Sequence, residues 1–233
     1  MFAVRSMLRA GSRAATPLRA FSTSSMRQAN TLLFVEHKNG AINPASLSAV
    51  TAAQKLGGEI HALVAGSSSH AKAVAEAASK VQGVSKVLVS TSDAFSALLA
   101  EPIAPLIESL VKSKSYTHVV AGHTAVGRDI IPRAAVCLDS SQVSDIIEVQ
   151  GEDTFVRPIY AGNALATVMS KDGVKVVTVR GTAFDAASAE GGSASVEEVD
   201  AGEVPQPTKL VQEKMSESTR PDPVSYTHLT LPT

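Results

Sequence analysis

The chain has 233 residues, 44% of them hydrophobic, with 21 Lys and Arg against 22 Asp and Glu and a formal net charge of −1. That apolar share is enough for one sizeable core, while a near-neutral chain without a basic block excludes nucleic acid as the main partner. A single cysteine, no Trp and 4% aromatics exclude a disulfide framework, a cysteine-only zinc site and an aromatic stacking platform, and no apolar run approaches the ~18 residues of a membrane span.

Residues 1–28 carry Arg5, Arg9, Arg13, Arg19 and Arg27 and no acid, and the first carboxylate of the chain is Glu36. Rich also in Ser and Ala, this stretch has the composition of a mitochondrial transit peptide, with Leu8, Arg9, Ala10 and Arg13 on an amphipathic helix. The run Arg19-Ala-Phe-Ser-Thr-Ser-Ser-Met-Arg27 has the spacing of two-step matrix processing and puts the mature N-terminus at Ala29. The plain alternative is a disordered basic tail; a secretory signal fits worse, because Arg9 and Arg13 interrupt the apolar stretch. Without residues 1–28, five of the 21 basic residues go and all 22 acids stay, leaving a net charge of about −6.

Thr31-Leu-Leu-Phe-Val-Glu36 reads as a buried strand. Asn43 and Pro44 then provide an N-cap and a first-turn proline. Leu47, Val50, Ala53 and Leu56 mark one helical face, which Gly57-Gly58 ends. A second strand follows over 59–65, a helix over 70–81 and a third strand over 86–89. Asp93 can cap a helix through Leu99, and Pro102 opens another with Ile103, Leu106, Ile107 and Leu110 inward. The fourth strand spans 116–121 and the next helix 128–138, with Pro132 expected to kink it or shift its start. Strands alternating with helices at this length imply right-handed crossovers and a largely parallel sheet. In the second half, 143–149, 154–160, 165–170 and 174–180 read as short strands with turn chemistry between them, an antiparallel annex or sheet edge. The expected fold class is α/β: a mainly parallel sheet flanked by helices, Rossmann-like and three-layered, with that small annex. From Ala186 to Pro223 the composition is that of a linker.

The loop Gly122-His-Thr-Ala-Val-Gly127 follows a strand and opens a helix, the place where open parallel sheets meet anionic ligands. Its glycine spacing matches the first half of a P-loop. However, Arg128-Asp129 replaces the Lys and hydroxyl residue that phosphate and magnesium need, so tight-turn and packing glycines are the default reading. The six histidines show no metal-ligand spacing. His61 and His118 sit within strands as structural residues, and His123, at a strand end, lacks a carboxylate to orient it. Ser67, Ser68 and Ser69 form no nucleophile elbow, and Cys137 reads as a small buried hydrophobe. The densest polar pattern is Arg157, Tyr160, Asn163 and Arg180 among β-branched residues. It marks either a partner surface, where Arg and Tyr are favoured, or a solvated sheet face.

Those segments carry a family resemblance. Phe155-Val-Arg-Pro-Ile-Tyr-Ala-Gly-Asn-Ala-Leu-Ala-Thr-Val168 resembles the electron transfer flavoprotein alpha subunits. So do Val177-Thr-Val-Arg-Gly-Thr-Ala-Phe-Asp-Ala186, Val143-Ser-Asp-Ile-Ile147, Gly127-Arg-Asp-Ile-Ile-Pro-Arg133, Thr31-Leu-Leu-Phe-Val-Glu-His37 and the run 56–66. The likeness extends from about residue 30 to Pro223. It implies an alpha subunit in a heterodimer with a beta subunit. That FAD-containing electron carrier of the mitochondrial matrix takes electrons from acyl-CoA and other dehydrogenases and passes them to a membrane quinone oxidoreductase. The family's flavin motifs follow its Ser-Glu-Ser-Thr-Arg-Pro-like entry, here Ser216–Pro223, whereas this chain continues Val224-Ser-Tyr-Thr-His-Leu-Thr-Leu-Pro-Thr233. The division expected is therefore a transit peptide (1–28), an N-terminal α/β domain (29–185), a linker toward a missing FAD domain (186–223) and a non-native tail (224–233). On that reading the chain has no catalytic or metal residue and no FAD contact of its own, and Arg157, Tyr160, Asn163 and Arg180 are its interface candidates. The alternative is a free-standing nucleotide-binding module of universal-stress type using Gly122 to Arg128. A third reading, a small hydrolase built on His123, lacks both a nucleophile elbow and a metal set.

Overall fold

A computed structural model describes residues 29–202, 208 and 210–212. The expected transit peptide and the expected non-native tail lie outside the described residues. In chain order the elements are β1 (Asn30–Phe34), β2 (His37–Lys38), β3 (Ala41–Ile42), α1 (Pro44–Leu56), β4 (Glu59–Gly66), α2 (Ser68–Ser79), β5 (Lys86–Thr91) and α3 (Ala100–Lys114). They continue with β6 (His118–Gly122), α4 (Ala125–Cys137), β7 (Gln142–Ile146), β8 (Glu148–Val149), β9 (Thr154–Ile159), β10 (Ala164–Met169), β11 (Lys175–Val179) and β12 (Ser195–Glu198).

Seven strands form one parallel sheet in the order β12-β5-β4-β1-β6-β11-β7. Period-two alternation sends successive side chains to opposite faces, and both faces are covered, so the strands read as continuous apolar runs. Leu33, Ala62, Val64, Val87, Val89, Val120 and Val177 pack with α1 and α2 on one side. Leu32, Phe34, Leu63, Leu88, Val119 and Val176 pack with α3 and α4 on the other. Three layers result, as the alternating pattern predicts. The annex is β8, β9 and β10, antiparallel and in the order β10-β9-β8.

Local chemistry sets the boundaries. Asn43 caps α1 by accepting from the Ala45 N–H at 3.0 Å, with Pro44 as the first helical residue. After α1, Gly58 takes φ +78° and a Cβ there would lie 1.8 Å from the Ala29 carbonyl oxygen, so only glycine fits.

Four expectations are corrected. The helix expected after Asp93 is a single 3-10 turn, Asp93–Phe95, capped by Ser92; the buried Phe95 ties it down and Leu98, at φ +48°, breaks the run. Helix α4 starts at Ala125, where Thr124 caps it, and continues through Pro132, because burial of Ile130, Ile131, Ala134 and Ala135 against α3 offsets the missing N–H. The second-half strands β7 and β11 join the main sheet in parallel, leaving only the strands between them to the annex. Within 186–202, where the composition gives no period, Ser195–Glu198 pairs in parallel with β5 at the sheet edge. Glu197 holds it there, accepting from Lys86 Nζ at 3.1 Å and Lys114 Nζ at 2.7 Å.

Candidate functional site

In an open parallel sheet, ligands bind beyond the carboxyl ends of the strands where the winding reverses. Here that reversal lies between β1 and β6, which lead to opposite halves of the sheet. Side chains from just past β1 and from the caps of α1 and α4 meet there. Glu36, just past β1, accepts from Asn43 Nδ2 at 3.0 Å and from the Thr124 hydroxyl, so one carboxylate joins the caps of α1 and α4. Its backbone N–H donates to Ser46 Oγ at 3.0 Å. A carboxyl group thus stands at the switch point beyond β1, and a carboxylate there opposes a phosphate by like charge.

The loop Gly122–Arg128 is shaped by packing. Thr124 Oγ1 accepts from the Gly127 N–H at 3.0 Å, and a Cβ on Gly127 would come within 2.1 Å of the Gly122 carbonyl oxygen. The glycine spacing therefore serves a tight strand-to-helix turn, and the nucleotide-module reading has no phosphate cradle here. Beside Glu36 opens a cleft of about 490 Å³ whose lining includes His37, Lys38, Ser69, His70 and Leu98. His37 is already engaged, its Nε2 donating to the Ala65 carbonyl at 2.9 Å.

The histidines in the strands are structural. His61 Nδ1 lies 2.6 Å from the Tyr116 hydroxyl, and the rings meet edge to face. His118 Nε2 donates to the Glu152 carbonyl at 2.6 Å, tying the annex turn to β6. Burial lowers the pKa of both imidazoles, and it raises that of the Tyr116 phenol. Cys137, expected in the core, is half-buried at the last turn of α4.

Beyond β6, β11 and β7 lies a second polar cluster, and it gathers three of the sequence candidates. Two residues of β7, Ser144 and Asp145, stand opposite the single Thr178 of β11, a bulge that puts Asp145 at φ +60°. Thr178 Oγ1 accepts from the Asp145 N–H at 3.1 Å and lies 3.0 Å from His123 Nδ1. Arg180 grips Asp145 bidentately, Nε donating to Oδ1 at 2.9 Å and Nη2 to Oδ2. Arg180 is thus an internal brace for the bulge, which its place among the interface candidates does not convey. Arg157 approaches from β9. It joins Arg128 and Arg180 in lowering the His123 pKa, an effect led by burial and opposed by Asp145. With Asp145 committed to Arg180 and a hydroxyl facing His123, no carboxylate–histidine pair exists here for hydrolysis.

Tyr160 and Asn163 sit apart from this cluster, at the β9–β10 turn. Tyr160, Ala161 and Gly162 adopt left-handed backbone in succession, with φ of 50°, 56° and 92°. Tyr160 is 78% exposed, and Asn163 is exposed beside it. Sequence reasoning missed Glu36, Asp145 and Thr178. The signal for Asp145 was a lone acid inside the apolar run Val143–Ile147, and for Glu36 an acid directly after a buried strand.

Comparison with known proteins assigns the family. Residues 31–204 match the electron transfer flavoprotein domain. The chain is 50% identical over 221 residues to the "Probable electron transfer flavoprotein subunit alpha, mitochondrial" of Cryptococcus neoformans var. neoformans serotype D (strain JEC21), covering 94% of this chain and 63% of that protein. It is 51% identical over 191 residues to the electron transfer flavoprotein subunit alpha of Pseudomonas aeruginosa, covering 82% and 60%. A Caenorhabditis elegans relative of the same description is 40% identical over 201 residues, covering 86% and 60%. The chain therefore spans somewhat under two thirds of the length of the relatives it matches. The domain match over residues 31–204, together with half-identity to alpha subunits along nearly the whole chain, places this chain in the electron transfer flavoprotein family.

Proposed function

We propose that this chain supplies the N-terminal α/β scaffold of the alpha subunit of a flavin-dependent electron carrier. The carrier is a heterodimer with a beta subunit in the mitochondrial matrix. It accepts electrons from acyl-CoA and other matrix dehydrogenases and passes them to a membrane quinone oxidoreductase. The half-identity to alpha subunits along nearly the whole chain carries this reading. Matrix residence rests on the arginine-rich, acid-free residues 1–28 and on the mitochondrial naming of relatives.

In the complete carrier the flavin, FAD, supplies the redox chemistry, and protein groups bind it and tune it. The described residues do not suit that cofactor: Glu36 puts a carboxyl group at the switch point, and a carboxylate there opposes its phosphates. The reading supported by that carboxylate is a flavin held by protein outside residues 29–202, with this scaffold carrying no redox step. Its contribution is architectural. Arg157, Tyr160 and Asn163 form a contact surface, and Arg180 acts through Asp145 to hold the strand ends in place.

Purification of the full chain, alone and co-expressed with an electron transfer flavoprotein beta subunit, tests the reading. The expected result is a colourless protein with no flavin bands that co-elutes with the beta subunit. A stoichiometric yellow chromophore on the chain alone, or elution apart from the beta subunit, would overturn it. No AMP or ATP binding is expected by calorimetry; micromolar affinity abolished by Gly127→Asp would favour the nucleotide-binding module instead.

A further inference from the structure

Arg157 lies on the inner side of β9, opposite the small side chain of Ala166. Its Nε–H is sealed from solvent and meets no acceptor, and no carboxylate among the described residues pairs with the guanidinium. Packing therefore fixes the base of this side chain and leaves its Nε–H unpaired, a costly arrangement for an isolated domain, while the Nη groups have no carboxylate partner among the described residues. The neighbouring charges do not relieve it. Arg128 is exposed, Arg180 is committed to Asp145, and all three arginines act on the same imidazole, His123. The cluster is short of negative charge.

The same hairpin carries contact chemistry. Three consecutive left-handed residues hold the turn in a strained form that keeps Tyr160 in solvent. Outer strand β10 exposes Leu165 (64%) and Met169 (60%), and it contains no charged residue. Natural edge strands are blunted by Lys, Pro or bulges, and β10 has none of these. Tyr, Arg and Met are the side chains that interfaces favour. A second copy of this chain would be a poor occupant. A two-fold contact sets like patches face to face, which would oppose one set of three arginines to another, with each Asp145 already bound to its own Arg180.

We propose that the β9–β10 hairpin docks a different protein chain, and that Arg157 receives one carboxylate of that chain at its Nη1 and Nη2 groups while Tyr160, at the hairpin tip, covers apolar neighbours of that acid. This rests on the heterodimer reading, under which the occupant is the beta subunit. An end-on Arg–carboxylate pair is bidentate and directional, so it fixes the orientation of the partner as well as holding it.

The test measures the affinity of the full chain for the beta subunit, wild type against Arg157→Gln, Tyr160→Ala and Val136→Ser, with a melting curve for each variant alone. Val136 is 79% exposed on α4, away from the hairpin, and serves as control. Arg157→Gln and Tyr160→Ala are each expected to weaken binding at least tenfold, with Val136→Ser within twofold of wild type. Arg157→Gln alone should melt no lower than wild type, because it removes a guanidinium without a carboxylate partner; this separates a binding role from a structural one. Wild-type binding left unchanged by Arg157→Gln, or weakened equally by Val136→Ser, overturns the hairpin site while the heterodimer stands. Failure of the wild type to bind removes the heterodimer reading, and the site falls with it.

Discussion

At the scale of single residues, the sequence was most legible where one residue type has one use. Asn43 and Pro44 announced a helix start and form it, and the two glycines of the Gly122–Gly127 loop were read as turn and packing residues, which the contacts explain. Gly127→Ala therefore forces its methyl group against the Gly122 carbonyl. A loss of about 1–3 kcal/mol is expected from such overpacking, read as a lower urea midpoint. Gly151→Ala, with nothing within 4 Å of the new Cβ, should be close to neutral. Equal effects from the two would show that the tight turn is not what holds the start of α4. Illegible were residues whose role comes from a partner distant in sequence. Nothing local to Glu36 says that it will bridge the caps of α1 and α4. Arg180 reads as a surface contact until Asp145, 35 positions earlier, is brought beside it.

At the scale of elements, periodicity revealed helices and central strands and lost the weakly periodic pieces. Ile103, Leu106, Ile107 and Leu110 fall on one face of α3 as their spacing predicts, all buried. Strand β12 escaped notice because a four-residue edge strand, Ser195-Val-Glu-Glu198, buries little and alternates no clear pattern. Its hold on β5 depends on charge: Glu197 meets Lys86 and Lys114, and its carboxyl pKa lies below the ordinary value because both ammonium groups donate to it. These pairs are partly exposed, and such pairs are each worth only ~0.2–1 kcal/mol. Glu197→Gln should thus change the melting temperature little, yet speed hydrogen exchange at the β12 amides relative to those of β4. Unchanged exchange at 195–198 would show that backbone pairing alone secures the strand. The left-handed turn at 160–162 was equally hidden, since neither Tyr nor Ala signals positive φ.

For the whole molecule, the alternation of strand and helix was enough to infer a parallel three-layer sheet, because few topologies satisfy right-handed crossovers at this length. Global stability should follow the histidines. His61, His118 and His123 all titrate below the ordinary imidazole value of 6.5, chiefly because burial disfavours the charged ring. As pH falls through 6.5 the unfolded chain takes up protons that the folded one refuses, so stability is full above that value and declines below it. The urea midpoint is expected to be lower at pH 5.5 than at pH 7.5, and His118→Gln should flatten the difference. A midpoint independent of pH over that window would contradict it. The carboxyls of Glu101 and Glu197, lowered from 4.5, contribute their loss only in more acid solution. The sheet order also governs how the protein is made. Strand β5 lies between β4 and β12, so its outer edge is closed by a segment more than a hundred residues later in the chain. From the emergence of residue 91 until residue 198 follows, the run Lys86-Val-Leu-Val-Ser-Thr91 offers an open strand edge to any neighbouring nascent chain. Synthesis or import that stalls in this interval should leave an aggregation-prone intermediate, one that holding chaperones would be needed to shield.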